Sequence, residues 1–175
     1  MKFMLFKSFL IILLLLTFVK AEENSYLKKG KYYDWSLYAK KNKKICYVIT
    51  KPIKSEGKYK LRGKVNLLVG RRTTKTNKNF VGVGFGYPFK NGTKVDVVID
   101  KKHHFKLSTF DETAWVKEYP KKNLNNLIIK EMIRGNKLIA KGVSKRGTKT
   151  KDIYSLRGFS KAFKKLLQLC GWSDE

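Results

Sequence analysis

Between Tyr33 and Lys117 the chain alternates apolar and polar residues segment after segment, and a period of two leaves little room for anything but β-sheet. Tyr33, Trp35, Leu37 and Ala39 interleave with Asp34, Ser36, Tyr38 and Lys40. Ile45 to Lys51 is apolar on both faces around Cys46, the pattern of a central strand, and Pro52 with Gly57 closes it. Lys64 to Arg72 predicts a third strand and Phe80 to Tyr87 a fourth. Asn91-Gly92 is a strong hairpin signal, expected to join that fourth strand to Val95, Val97 and Ile99. A second tight turn near Lys101 leads into His103 to Ser108, and Thr113 to Lys117 is a short strand carrying Trp115.

The period then changes. Leu124, Leu127, Ile128 and Met132 recur as on a helix that stops at Gly135, and Lys137 to Val143 and Thr150 to Leu156 read as a final strand pair. Ser160 is placed as an N-cap for a terminal amphipathic helix, with Phe163, Leu166, Leu167 and Cys170 along one face and Lys161, Lys164 and Lys165 on the other. A basic amphipathic helix can lie on a membrane, but a cysteine on its apolar face favours docking against the sheet.

Ahead of these elements, Lys2 and Lys7 precede an apolar run from Ser8 to Val19, and Val19-Lys20-Ala21 offers small residues where a signal peptidase reads. Residues 1–21 therefore read as a cleavable export signal, 22–32 as a flexible polar arm, and 33–175 as one domain. Export is expected to leave the protein in the periplasm, or secreted or associated with the outer envelope. In an oxidising compartment the even pair Cys46 and Cys170 reads as one bridge, with two buried thiols as the alternative.

The formal charge is +27, and removing Lys2, Lys7 and Lys20 with the signal lowers it by three to +24. Such a field attracts polyanions, with affinity that falls steeply as salt rises. Six of the 40 basic residues are Arg, the side chain suited to gripping phosphate bidentately, and a surplus made mostly of Lys also fits AT-rich codon usage. The balance argues against nucleic acid as partner and leaves peripheral association with an anionic membrane or glycan surface as an alternative.

Motifs for chemistry are missing from the pattern. Gly82, Gly84 and Gly86 lie in an alternating strand followed by Pro88, whereas a phosphate-cradling loop opens a helix; they predict a flat strip where another element approaches. His103 and His104 are adjacent on a strand and so face opposite ways, His103 inward with Phe105 and Leu107, which argues against a shared metal ion. The acidic residues are scattered among lysines with no nucleophile elbow beside them. The expectation is a non-enzyme with no cofactor and no metal.

Six runs together carry a resemblance: Cys46-Tyr47-Val48-Ile49-Thr50-Lys51-Pro52, Leu68-Val69-Gly70-Arg71-Arg72, Gly86-Tyr87-Pro88-Phe89-Lys90, Asp111-Glu112-Thr113-Ala114-Trp115, Gly142-Val143-Ser144-Lys145-Arg146-Gly147-Thr148, and Tyr154-Ser155-Leu156-Arg157-Gly158-Phe159, ending in Cys170. From about Trp35 to Cys170 the chain resembles the invasion-associated locus B family of alphaproteobacterial exported proteins. The resemblance implies an all-β, immunoglobulin-like β-sandwich of the periplasm or cell envelope, with no known enzymatic activity or cofactor. It implies a binding role toward an envelope component, a protein or a host, with the ligand unspecified. Arg71, Arg72, Arg146 and Arg157 fall in these runs and are candidate anion or partner contacts, or braces paired with residues such as Asp111 and Asp152.

Overall fold

The structure, a computed structural model, describes residues 25–40, 43–73, 78–117 and 123–170. Its elements run β1 (Tyr26–Tyr32), β2 (Trp35–Lys40), β3 (Ile45–Thr50), β4 (Lys54–Glu56), β5 (Asn66–Arg72), β6 (Lys78–Gly84), β7 (Lys94–Ile99), β8 (His103–Phe110), β9 (Thr113–Trp115), α1 (Leu124–Arg134), β10 (Lys137–Val143), β11 (Lys149–Ser155) and α2 (Phe159–Leu169). The strands form one antiparallel sheet in the order β1-β2-β3-β5-β6-β9-β8-β7-β10-β11-β4. It folds over on itself into an all-β, sandwich-like body, and the indole N–H of Trp35 on β2 reaches across to the Ser155 carbonyl on β11 at 3.2 Å.

The alternation read from the sequence is what fills the core. Trp35, Leu37 and Ala39 on β2, Cys46 and Val48 on β3, Leu67 and Val69 on β5, and Val95, Val97 and Ile99 on β7 are all buried. Helix α2 lies against β1, β2, β3 and β5, and α1 against β6 and α2. Phe159, Phe163, Leu166 and Cys170 are the buried side of α2, with the Phe159 ring 4.8 Å from that of Trp35. Helix α1 begins at Asn123, whose side chain accepts from the Asn126 amide.

Several expectations are corrected. Residues 26–32 of the expected arm form β1, paired along its length with β2. An edge strand exposed over most of its length carries little apolar alternation, and a bulge between Lys28 and Gly30 breaks what period there is. The expected signal, residues 1–21, lies outside the described residues. Helix α2 begins at Phe159 rather than after a Ser160 cap: Gly158, at φ +89°, is the N-cap and makes no side-chain hydrogen bond. The short strand β4, which no period announced, pairs with β11.

The Asn91-Gly92 turn is present, with Gly92 at φ +74°, but it does not make a β6–β7 hairpin. Gly86, at φ +65°, turns the chain away after β6; β6 lies between β5 and β9, and β7 between β8 and β10. The glycine strip is approached as expected at Gly86, where the Gly63 backbone lies so close that a side chain would collide, while Gly82 is covered by the Trp115 ring of β9. His103 stays exposed at the start of β8, its Nε2 3.2 Å from Glu131 Oε2 on α1, while Phe105 and Leu107 do turn inward.

Where β9 runs out, a helix side chain replaces a strand. The Val81 amide donates to Asn125 Oδ1 at 2.8 Å, both residues being buried. Asn125→Ala leaves that N–H without a partner and is expected to cost about 1–3 kcal/mol in urea unfolding. A loss below about 0.5 kcal/mol would show that another group serves Val81 equally well.

Candidate functional site

The loop from Gly57 to Val65, between β4 and β5, forms one wall of a groove of about 700 Å³. Gly57, at φ +144°, lets the chain leave β4 hard against the Lys149 carbonyl and Thr150, where a side chain would collide. At the loop's other end the Gly63 amide donates to the Gly86 carbonyl at 2.8 Å. Residues 144–150 form the opposite wall, and Tyr87 and Pro88 the floor.

Arg62 fixes this loop to the body of the sandwich. Its Nη1 and Nη2 donate to the two Asp152 carboxylate oxygens at 2.9 and 2.7 Å, and its Nε donates to the Phe85 carbonyl at 3.0 Å. The Arg62 side chain is 4% exposed and that of Asp152 0%. Tyr59 and Tyr87 sandwich the guanidinium at 4.8 and 5.1 Å from their ring centroids. Burial works against this charge, but hydrogen bonds and attraction from Asp152 more than offset it, and the Arg62 pKa stands above its ordinary value. Below it, the Tyr87 hydroxyl and Thr150 Oγ1 are 2.6 Å apart, and burial raises the Tyr87 pKa. Tyr154, two residues beyond Asp152 on the same face of β11, is also pushed up, first by burial and then by Asp152.

Lys58, Lys60, Lys145 and Arg146 line the groove and are exposed, and none makes an ion pair among the described residues. No carboxylate, histidine or thiol is among the lining residues. Asp152, just beneath, is committed to Arg62. The groove thus offers four uncompensated cations over an aromatic floor that a buried ion pair holds rigid. That arrangement suits binding an anion. Among the described residues no group of three His, Cys, Asp or Glu is placed to hold a metal ion.

The arginines singled out from the sequence fall into separate surroundings. Only Arg146 lines the groove. Arg71 and Arg72 are neighbours on β5 and face opposite ways; Arg71 lies in a smaller cleft under both helices, its Nη1 3.3 Å from Asn79 Oδ1, and Arg72 is exposed. Arg157 stacks on Tyr33 at 4.6 Å and braces the β1–β2 turn. Asp152 pairs with Arg62 rather than with any of these four. Cys46 on β3 and Cys170 at the end of α2 are joined as a disulfide, with Cα atoms 6.0 Å apart.

Arg62 escaped the sequence reading although a signal was there. Thr150, Asp152 and Tyr154 are the inward positions of β11, and a carboxylate at an inward position demands a buried cation. Arg62 is an isolated Arg in a lysine-rich loop beside Tyr59, where a stacked fork fits and an ammonium does not.

The family described as "Invasion associated locus B (IalB) protein" matches residues 35–167 of the chain. No curated protein matches it. Among solved structures, the crystal structure of invasion associated protein B from Bartonella henselae is similar with a TM-score of 0.58 at 15% identity, covering 82% of this chain and 97% of that one. At that identity the likeness concerns the fold.

Proposed function

Because the chain belongs to the invasion-associated locus B family, we propose that it is an exported, non-enzymatic protein of the cell envelope that works by binding an anionic envelope component in the groove between residues 57–65 and 144–150. The observation that carries this reading is the set of four unpaired cations around a floor fixed by Arg62 and Asp152. Family membership supports export, and the Cys46–Cys170 disulfide is consistent with a location outside the cytoplasm. The signal read at residues 1–21, with cleavage near Ala21, supports the periplasm or outer envelope as the destination.

The test is capture from envelope extract on the oxidised chain, washed first in low and then in moderate salt. A component retained through the second wash by the wild type, and lost from Lys60→Glu/Arg146→Glu, is the expected result. Equal retention by the charge-reversed variant would move the site elsewhere. Turnover of a defined substrate by the purified chain would overturn the non-enzymatic reading.

A further inference from the structure

The loop that carries two of the groove's cations also carries the most exposed large apolar residue of the described chain: Leu61 is 90% exposed, between Lys60 and the buried Arg62. Tyr59, stacked on Arg62, is 38% exposed. A single exposed leucine is ordinary on a protein surface and becomes informative where the backbone beside it is fixed. Here it is held out because its neighbour Arg62 is locked inward by Asp152, the Phe85 carbonyl and two tyrosine rings. The conformation that presents Leu61 is set before any partner arrives, which lowers the ordering cost of binding.

We propose that this face docks on an anionic phospholipid surface, with Leu61 entering the apolar layer while Lys58, Lys60, Lys145 and Arg146 sit at the level of the phosphates. The proposal rests on the groove being the binding site and names its partner. Charge complementarity selects an anionic surface, and Leu61 separates lipid from an acidic glycan. A glycan rewards hydrogen bonds and flat rings and gives an outward leucine nothing, whereas a bilayer rewards its burial. Tyr59 has the amphipathic form that suits the boundary between headgroup and chain. Four cations, each worth about fivefold in affinity near an anionic bilayer, together with one inserted leucine amount to reversible recruitment rather than permanent anchorage.

Because the full chain also carries the apolar run from Ser8 to Val19, the test must report on the loop and not on the whole chain. Leu61→Trp in the oxidised full chain, read as the difference from the wild type with its own Trp35, Trp115 and Trp172, is titrated with phosphatidylcholine vesicles, with and without phosphatidylglycerol, and with brominated lipid as quencher. On the anionic vesicles the new indole is expected to shift to the blue and be quenched, and on pure phosphatidylcholine to do neither. Adding Lys58→Glu/Lys60→Glu is expected to weaken the response at least tenfold, as is moderate salt. Leu127→Trp on α1, itself 42% exposed, is expected to show no shift.

An absent shift on anionic vesicles, or an equal shift on neutral ones, would overturn the proposal. So would charge-dependent binding that leaves the indole in water, which points to headgroup or glycan recognition without insertion. If the vesicles fail while envelope extract still yields a component lost from Lys60→Glu/Arg146→Glu, the groove remains the site and lipid alone is excluded.

Discussion

Asp152→Asn is expected to destabilise the fold by about 3–5 kcal/mol and to lower Tm by on the order of 10 °C. The Arg62 guanidinium cannot shed its proton and, at 4% side-chain exposure, cannot reach water without dragging residues 57–65 off the body. Once the carboxylate is neutral, a full charge is left buried against Phe85, Tyr59 and Tyr87. The pair is not expected to be worth the same amount against an apolar core, because both ions were desolvated to make it. Arg62→Met/Asp152→Leu should therefore be more stable than Asp152→Asn alone, while losing the rigid groove. Asp152→Asn and the double replacement, compared by urea unfolding, separate a broken pair from a missing one. A loss below about 1 kcal/mol for Asp152→Asn would mean that water already screens Arg62.

Removing the disulfide is the second large effect. Cys46 and Cys170 are separated by 124 residues, and tying that span together restricts the unfolded chain by up to about 5 kcal/mol in the chain-entropy account. Cys46→Ala/Cys170→Ala is expected to lower stability by about 2–5 kcal/mol. The end of α2 should also become the first part of the helix to open, because Phe159, Phe163 and Leu166 still hold its body against β2 and β3. Hydrogen exchange along residues 159–170 reads this directly. Protection unchanged to the last turn, with stability within about 1 kcal/mol of the oxidised chain, would show that packing alone holds the helix.

How much of this was legible depended on whether a residue's role was local. Strands β2, β5, β7, β10 and β11 were readable because one face of each is buried and a period of two follows directly, and β3 because its apolar run marks a central strand. Helix α2 was readable from the spacing of Phe163, Leu166, Leu167 and Cys170, though its start was misplaced because Gly158, in the left-handed region, caps it through the backbone alone. Strand β1 was hidden because an edge exposed over most of its length leaves lysines where a period would show. Pairing partners were not local either: Asn91-Gly92 announced a turn truthfully but could not say that Gly86 had already steered the chain away from β6. The groove was least legible of all. Its key pair joins residues 62 and 152, and the runs that carry the family resemblance contain Arg146 but neither member of that pair.

The measurement that bears most directly on the central claim is amide hydrogen exchange across the oxidised chain, free and in the presence of envelope extract. If the groove is the binding site, added protection should fall on residues 57–63 and 144–150 and disappear in Lys60→Glu/Arg146→Glu. Protection concentrated instead on the β1 edge or on the cleft under α1 and α2, with residues 57–63 unchanged, would contradict it and place binding on another face of the sandwich.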